Sequence, residues 1–136
     1  MDVHEGTVSV HINLDMDIVT ARQEGRTLAA RVGFSSSEQV LIATAISEAA
    51  RNILQYAGKG TIDISILKEK NRNGIQIVAQ DNGPGISDIE QALIDGFSSS
   101  GGLGLGLPGI KRLMSELEII SQSGKGTTLV MKRWKT

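Results

Sequence analysis

Gly101 to Gly109 read GGLGLGLPG, and this stretch decides which kind of fold the chain can form. Glycines this dense directly before a helix leave backbone N–H groups free to surround phosphate oxygens. Gly104, Gly106 and Gly109 formally satisfy G-x-G-x-x-G, the dinucleotide fingerprint of a doubly wound α/β domain. That fingerprint must follow a strand, yet Asp95 to Ser100 is polar, and the remaining chain is too short to complete such a domain. No G-x-x-x-x-G-K-[ST] occurs, and neither H-R-D nor D-F-G is present to support a eukaryotic-type kinase. The glycine-rich stretch therefore belongs to a different phosphate-binding architecture.

Working outward, Pro108 suits the first turn of a helix running through Met114. Leu117 to Ser121 and Thr127 to Trp134 then flank the turn residues Gly124, Lys125 and Gly126, which predicts a closing hairpin. Upstream, Thr61 to Leu67 alternates Ile62, Ile64 and Ile66, Lys68 to Gly74 reads as a turn, and Ile75 to Ala79 begins another strand. Ser35 to Glu38 has the form of a capping box ahead of an Ala/Ile-rich helix ending near Tyr56. An earlier amphipathic helix carries Ile18, Ala21, Leu28 and Val32, with Asp15 or Asp17 as its cap and Gly33 as its left-handed stop. Thr7 to Ile12 alternates Val8, Val10 and Ile12 with polar partners, the period of a half-buried strand.

No repeat, low-complexity tract or linker separates these elements, so residues 1–136 are expected to form a single domain. The expected class is an α/β (α+β) two-layer sandwich, with a mixed, largely antiparallel sheet and its helices on one face. Hydrophobic residues at 40% and charged ones at 21% exclude a disordered chain. The longest largely apolar stretch, Val40 to Ile46, is far short of a bilayer span, so no membrane is expected as a partner. A net charge of -1 supplies no field for a polyanion, so no nucleic acid is expected either. The acidic, polar start MDVHEGTVSV lacks the basic and apolar segments of a signal peptide, and there are no cysteines, so a cytoplasmic location is expected.

The chemistry gathers at three places. Glu48 and Asn52 are one helical turn apart on one face, about a third of a turn from the core stripe of Ile42, Ile46, Ala49 and Ile53. Taken alone, such a pair also suits a partly exposed helix flank. Asp81-Asn82-Gly83-Pro84-Gly85 follows a strand where a turn is needed; it reads equally as a plain turn and as a site where Asp81 accepts from an exocyclic amine. The third place is the glycine-rich stretch itself. His4 and His11 read as structural or solvated, and Ser98 to Ser100 as loop residues. Lys111, Arg112, Lys125, Lys132, Arg133 and Lys135 read as a solvated basic face.

Taken together, Glu48 and Asn52 on a helix, Asp81-x-Gly83-x-Gly85 after a strand, Gly102-x-Gly104-x-Gly106 before a helix, and Gly126-Thr127 opening a late strand resemble the GHKL (Bergerat-fold) ATP-binding family. The resemblance covers nearly the whole chain, and the small size is similar to the anti-sigma-factor and switch-kinase branch. SEAARNILQYAGKG (47–60), DNGPGI (81–86) and DGFSSSGGLGLGLPGIKRLM (95–114) are similar to the stressosome serine/threonine kinases of that branch. The resemblance implies ATP and Mg²⁺ as cofactors, with Asn52 as the Mg²⁺ ligand and Glu48 orienting or deprotonating the attacking hydroxyl. It implies that Asp81 holds the adenine amino group, that Gly83 and Gly85 line the base pocket, and that Thr127 supports the adenine contact. Gly102, Gly104 and Gly106 would form the lid over the phosphates. The implied partners are STAS-domain antagonist and scaffold proteins as substrates and a PP2C-type phosphatase activated through partner switching; the alternative is a nucleotide-gated binding module with little catalysis. Tyr56 stands where sensor histidine kinases carry a basic residue, and no phosphoacceptor histidine helix is present.

Overall fold

A computed structural model of the chain describes residues 3–85 and 106–135. In chain order its elements are β1 (Val3–Ile12), α1 (Asp15–Val32), α2 (Ser36–Tyr56), β2 (Gly60–Glu69), β3 (Arg72–Asp81), α3 (Gly106–Leu113), β4 (Glu116–Ser121) and β5 (Thr127–Trp134). The five strands form one sheet in the order β1-β2-β3-β5-β4.

The sequence suggested a mixed, largely antiparallel sheet, and every pairing among the described strands is antiparallel. The connections explain this. Two helices rather than one lie between β1 and β2, so the chain returns to the end at which β1 stopped and Gly60 pairs with Ile12. Both hairpins, β2–β3 and β4–β5, form as the alternation predicts.

Val10 and Ile12 of β1, Ile62, Ile64 and Ile66 of β2, Ile75, Ile77 and Ala79 of β3, and Leu129 and Met131 of β5 point to the helical layer. There they meet Ala21 and Leu28 of α1, the predicted stripe Ile42, Ile46, Ala49 and Ile53 of α2, and Ile110 of α3. Burying each Val, Leu, Ile or Met side chain among these is worth about 1.5–3 kcal/mol, so this shared face is the main source of stability.

The helix ends follow the sequence with one change. Ser35 Oγ accepts the Glu38 N–H at 3.2 Å and the Ser35 N–H donates to Glu38 Oε1 at 3.4 Å, the capping box expected for α2. At α1 neither aspartate is the cap. Leu14 holds that position, and Asp17, three residues on, reaches back so that its Oδ2 accepts the N–H groups of Asn13 and Leu14 at 2.8 Å each. Gly33 ends α1 in the left-handed conformation, as expected.

One basic residue departs from the solvated face expected of its group. Arg133 lies on the helix-facing side opposite Ile75 and donates from Nη1 to the Leu113 carbonyl at 2.6 Å, with Nη2 3.7 Å from Glu38 Oε2. It ties the end of α3 to the start of α2.

Candidate active site

The site is built where the core-facing rows of the sheet run out of apolar residues. On β3 the row Ile75, Ile77, Ala79 ends in Asp81, on the same side of the sheet. Gly60, Asp81, Thr127 and Ser121 stand side by side across β2, β3, β5 and β4, forming one polar row under the helical layer. Ser121 and Thr127 share a hydroxyl hydrogen bond of 3.0 Å, and Ser121 Oγ also donates to the Gly126 carbonyl at 3.0 Å. Ser121 and Gly60 were not singled out from the sequence, since their place in this row depends on strand register.

The Asp81–Gly85 segment is a turn with a firm internal bond: Asp81 Oδ1 accepts the Gly83 N–H at 2.9 Å. Its glycines are needed for close backbone approach. A Cβ at Gly83 would stand 2.7 Å from Ala57 Cβ, so the turn packs against the end of α2. Gly85 and Gly126 both have positive φ, and a Cβ would strike the Gln122 carbonyl in the first case and the Asp81 carbonyl in the second. The Gly124 N–H donates to the Pro84 carbonyl at 2.6 Å, closing the β4–β5 turn onto the Asp81 turn. The turn reading and the site reading are thus compatible: the turn is what holds Asp81 in place.

The last turns of α2 converge on the same place. A Cβ at Gly60 would lie 2.8 Å from Ile53 Cγ2 and 3.2 Å from Asp81 Cβ, so Ile53 and Asp81 meet over the vacant glycine position. Asn52, the neighbour of Ile53, is half-buried. Glu48, one turn earlier, is buried, with its side chain only 6% exposed, unlike a solvated flank residue. Its Oε1 receives the Arg51 Nη1 at 2.6 Å. Arg51 was not identified from the sequence, although its i+3 spacing from Glu48 is the signal that could have found it.

Gly106 opens α3 with positive φ, and Pro108 sits in its first turn. Gly102, Gly104 and Ser98 to Ser100 lie outside the described residues. Both histidines lie on β1, and His11 is exposed, next to Ile12 and on the opposite face of the sheet from the polar row.

The donor set suits a hard cation that brings its own oxygens. The Asn52 amide would offer one neutral oxygen, and no cluster of His, Cys, Asp and Glu among the described residues would hold an ion unaided. Mg²⁺ is bound in this way, through few protein ligands with phosphate oxygens and water completing the octahedron. The described residues therefore fit a nucleotide-borne Mg²⁺.

Comparison with known proteins identifies the family. Residues 37–135 match the family described as histidine kinase-, DNA gyrase B-, and HSP90-like ATPase. The chain is 51% identical over 125 residues to the serine/threonine-protein kinase RsbT of Bacillus subtilis (strain 168), covering 92% of this chain and 94% of that protein. It is 33% identical over 118 residues to the anti-sigma F factor of Thermoanaerobacter sp. (strain X514), covering 84% and 82% respectively. Similarity also extends to the sensor-like histidine kinase SenX3 of Mycolicibacterium smegmatis, at 30% over 107 residues, but there it spans 28% of the larger protein.

Proposed function

The chain belongs to the histidine kinase-, DNA gyrase B-, and HSP90-like ATPase family and is a serine/threonine protein kinase within it, and from that premise we propose that it acts in the cytoplasm on STAS-domain scaffold and antagonist proteins. By partner switching it then binds and activates a PP2C-type phosphatase in a stress response. The observation that carries the catalytic part is a buried glutamate, Glu48, one turn from Asn52 on the helix that abuts the Asp81 turn.

In this reading ATP is the phosphoryl donor. Asp81 accepts from the adenine amino group, Gly83 and Gly85 let the flat base lie against backbone, and the Thr127 hydroxyl supports the base contact. The N–H groups of Gly102, Gly104 and Gly106 cradle the phosphates, and the positive end of α3, which Gly106 opens, favours the same anion. Asn52 holds Mg²⁺ through its amide oxygen. When bound, the ion neutralises charge on the phosphate oxygens.

The acceptor serine or threonine oxygen bonds to the γ-phosphorus while the bond from that phosphorus to the β–γ bridging oxygen breaks, and ADP leaves. The hydroxyl proton passes to the Glu48 carboxylate. Most of the catalysis in such a transfer is positioning and charge stabilisation, so the rigidity of α2 matters as much as the basicity of Glu48.

A second reading, a nucleotide-gated binding module with little catalysis, is favoured by the likeness to an anti-sigma F factor. The two part in one experiment: transfer of label from γ-labelled ATP to a purified STAS-domain protein by wild type, Glu48→Ala and Asn52→Ala, with and without Mg²⁺. Label on serine or threonine, lost in both variants and without Mg²⁺, is expected. ATP binding with no label would favour the binding module.

A further inference from the structure

Glu48 is flanked on both sides around α2. Asn52 is displaced from it by about 40° in one direction and Arg51 by about 60° in the other, at 3.6 residues per turn. The Arg51 side chain is 38% exposed and lines an open groove between α1 and α2, with Asp15, Arg22 and Leu54. Its Nη1 nevertheless turns back to Glu48 Oε1 at 2.6 Å. The guanidinium thus meets a buried carboxylate from the side opposite the metal-binding amide.

We propose that Arg51 is a positioning residue for phosphotransfer, holding the Glu48 carboxylate through Oε1 so that the acceptor hydroxyl meets a base already oriented. This rests on the role given to Glu48 above. A glutamate side chain has three rotatable bonds, and its terminal torsion is broad, so burial alone does not define where the oxygens point. A charge-assisted hydrogen bond of this length does, and it is made within one helix, without requiring any other element to move. A loose phosphoryl transition state asks for orientation before proton affinity. Lysine at this position would keep the charge but lose the planar fork. Asp15 lines the same groove, and if Arg51 served only to join α1 to α2 its loss would lower stability without selectively lowering turnover.

The test is steady-state label transfer from ATP to a purified STAS-domain protein by wild type, Arg51→Ala, Arg51→Lys, Glu48→Ala and the double variant Glu48→Ala/Arg51→Ala, each also melted thermally. Arg51→Ala is expected to lower kcat by about tenfold to a hundredfold, with KM for ATP and for the acceptor changed by less than about twofold. Arg51→Lys should remain folded and recover part of that loss, and the double variant should be no slower than Glu48→Ala alone. Wild-type kcat in Arg51→Ala, beside a slow Glu48→Ala, would overturn the role of Arg51 and leave that of Glu48 standing. A raised KM for the acceptor at unchanged kcat would overturn it too, making the groove a docking site instead. If Glu48→Ala transfers as fast as wild type, or wild type labels nothing, both readings fail together.

Discussion

Asp81 and Thr127 face each other directly across the β3–β5 ladder, on the side of the sheet that carries the helices. They are far apart in sequence, and the register alone brings the carboxylate and the hydroxyl into one row. The Asp81 Oδ1 atom is engaged by the Gly83 N–H at 2.9 Å, so the carboxylate has a structural task beside the recognition task proposed for it. Asp81→Asn separates them, because an amide oxygen can still accept from Gly83 while the second oxygen becomes a donor facing the adenine amino group. ATP affinity should fall by roughly ten- to a hundredfold, the equivalent of losing a hydrogen bond to a charged group worth about 1.5–3 kcal/mol. Calorimetric titration with a non-hydrolysable ATP analogue checks this beside a thermal melt, which should shift little. Unchanged affinity would remove Asp81 from the base contact.

Gly124 and Gly126 share a positive φ, near +80° and +86°, but not their surroundings. A Cβ at Gly124 has nothing within 4 Å, whereas one at Gly126 would strike the Asp81 carbonyl oxygen. Gly124→Ala should therefore cost only the backbone penalty, about 1–2 kcal/mol. Gly126→Ala adds a clash with the turn that holds Asp81 and should cost more, about 3 kcal/mol in all, and weaken ATP binding as well. Urea unfolding followed through the single tryptophan, Trp134, compares the two. Equal midpoints would mean that the turns are not locked together as described.

Most of the fold was legible because its signals are local. The alternation of Ile62, Ile64 and Ile66, the Ser35–Glu38 capping box and the glycines of the last hairpin each depend on a few adjacent residues, and each forms as read. What was hidden depends on distance or register. Arg133 looked like one more exposed cation until its position opposite Ile75 placed it against α2 and α3. The wholly antiparallel pairing follows from two helices closing β1 onto β2, which no single segment announces. At the site, Glu48, Asn52 and Asp81 could be picked out by residue type and spacing. Of their supports, Arg51 left a signal in its i+3 spacing from Glu48, but Gly60 and Ser121 left none, because a glycine or a serine in those settings is ordinary until its neighbours are known.

The capping box of α2 stabilises the helix that carries Glu48 and Asn52, yet lies several turns before them. Ser35→Ala removes the acceptor of the Glu38 N–H and should cost about 1 kcal/mol. Turnover at a temperature where the variant remains folded should match wild type, since the end of α2 is held separately by the Asp81 turn against Ala57. Chemical denaturation and label transfer, run side by side, check the two halves. A loss of turnover without loss of stability would show that the helix start communicates with the site.

Asp17 gives the fold a pH dependence whose sign follows from its bonds. The Leu14 N–H, then the Asn13 N–H, hold its carboxyl below the ordinary value of 3.8, with the charge of His11 adding a smaller push in the same direction. The ionised group is also favoured by the N-terminal end of α1. A carboxyl with a depressed folded value contributes stability that is fully present above its unfolded value and is lost as the pH falls through the folded one. Asp17→Asn removes that contribution at neutral pH but not in strong acid. The gap in unfolding midpoint between wild type and Asp17→Asn should therefore be constant from pH 7 down to about pH 5, narrow below that, and close once the wild-type carboxyl is protonated. Urea midpoints across that range measure it. A gap that widened toward acid would mean that the two backbone bonds favour the neutral carboxyl, contrary to the geometry of Asn13 and Leu14 donating to Oδ2.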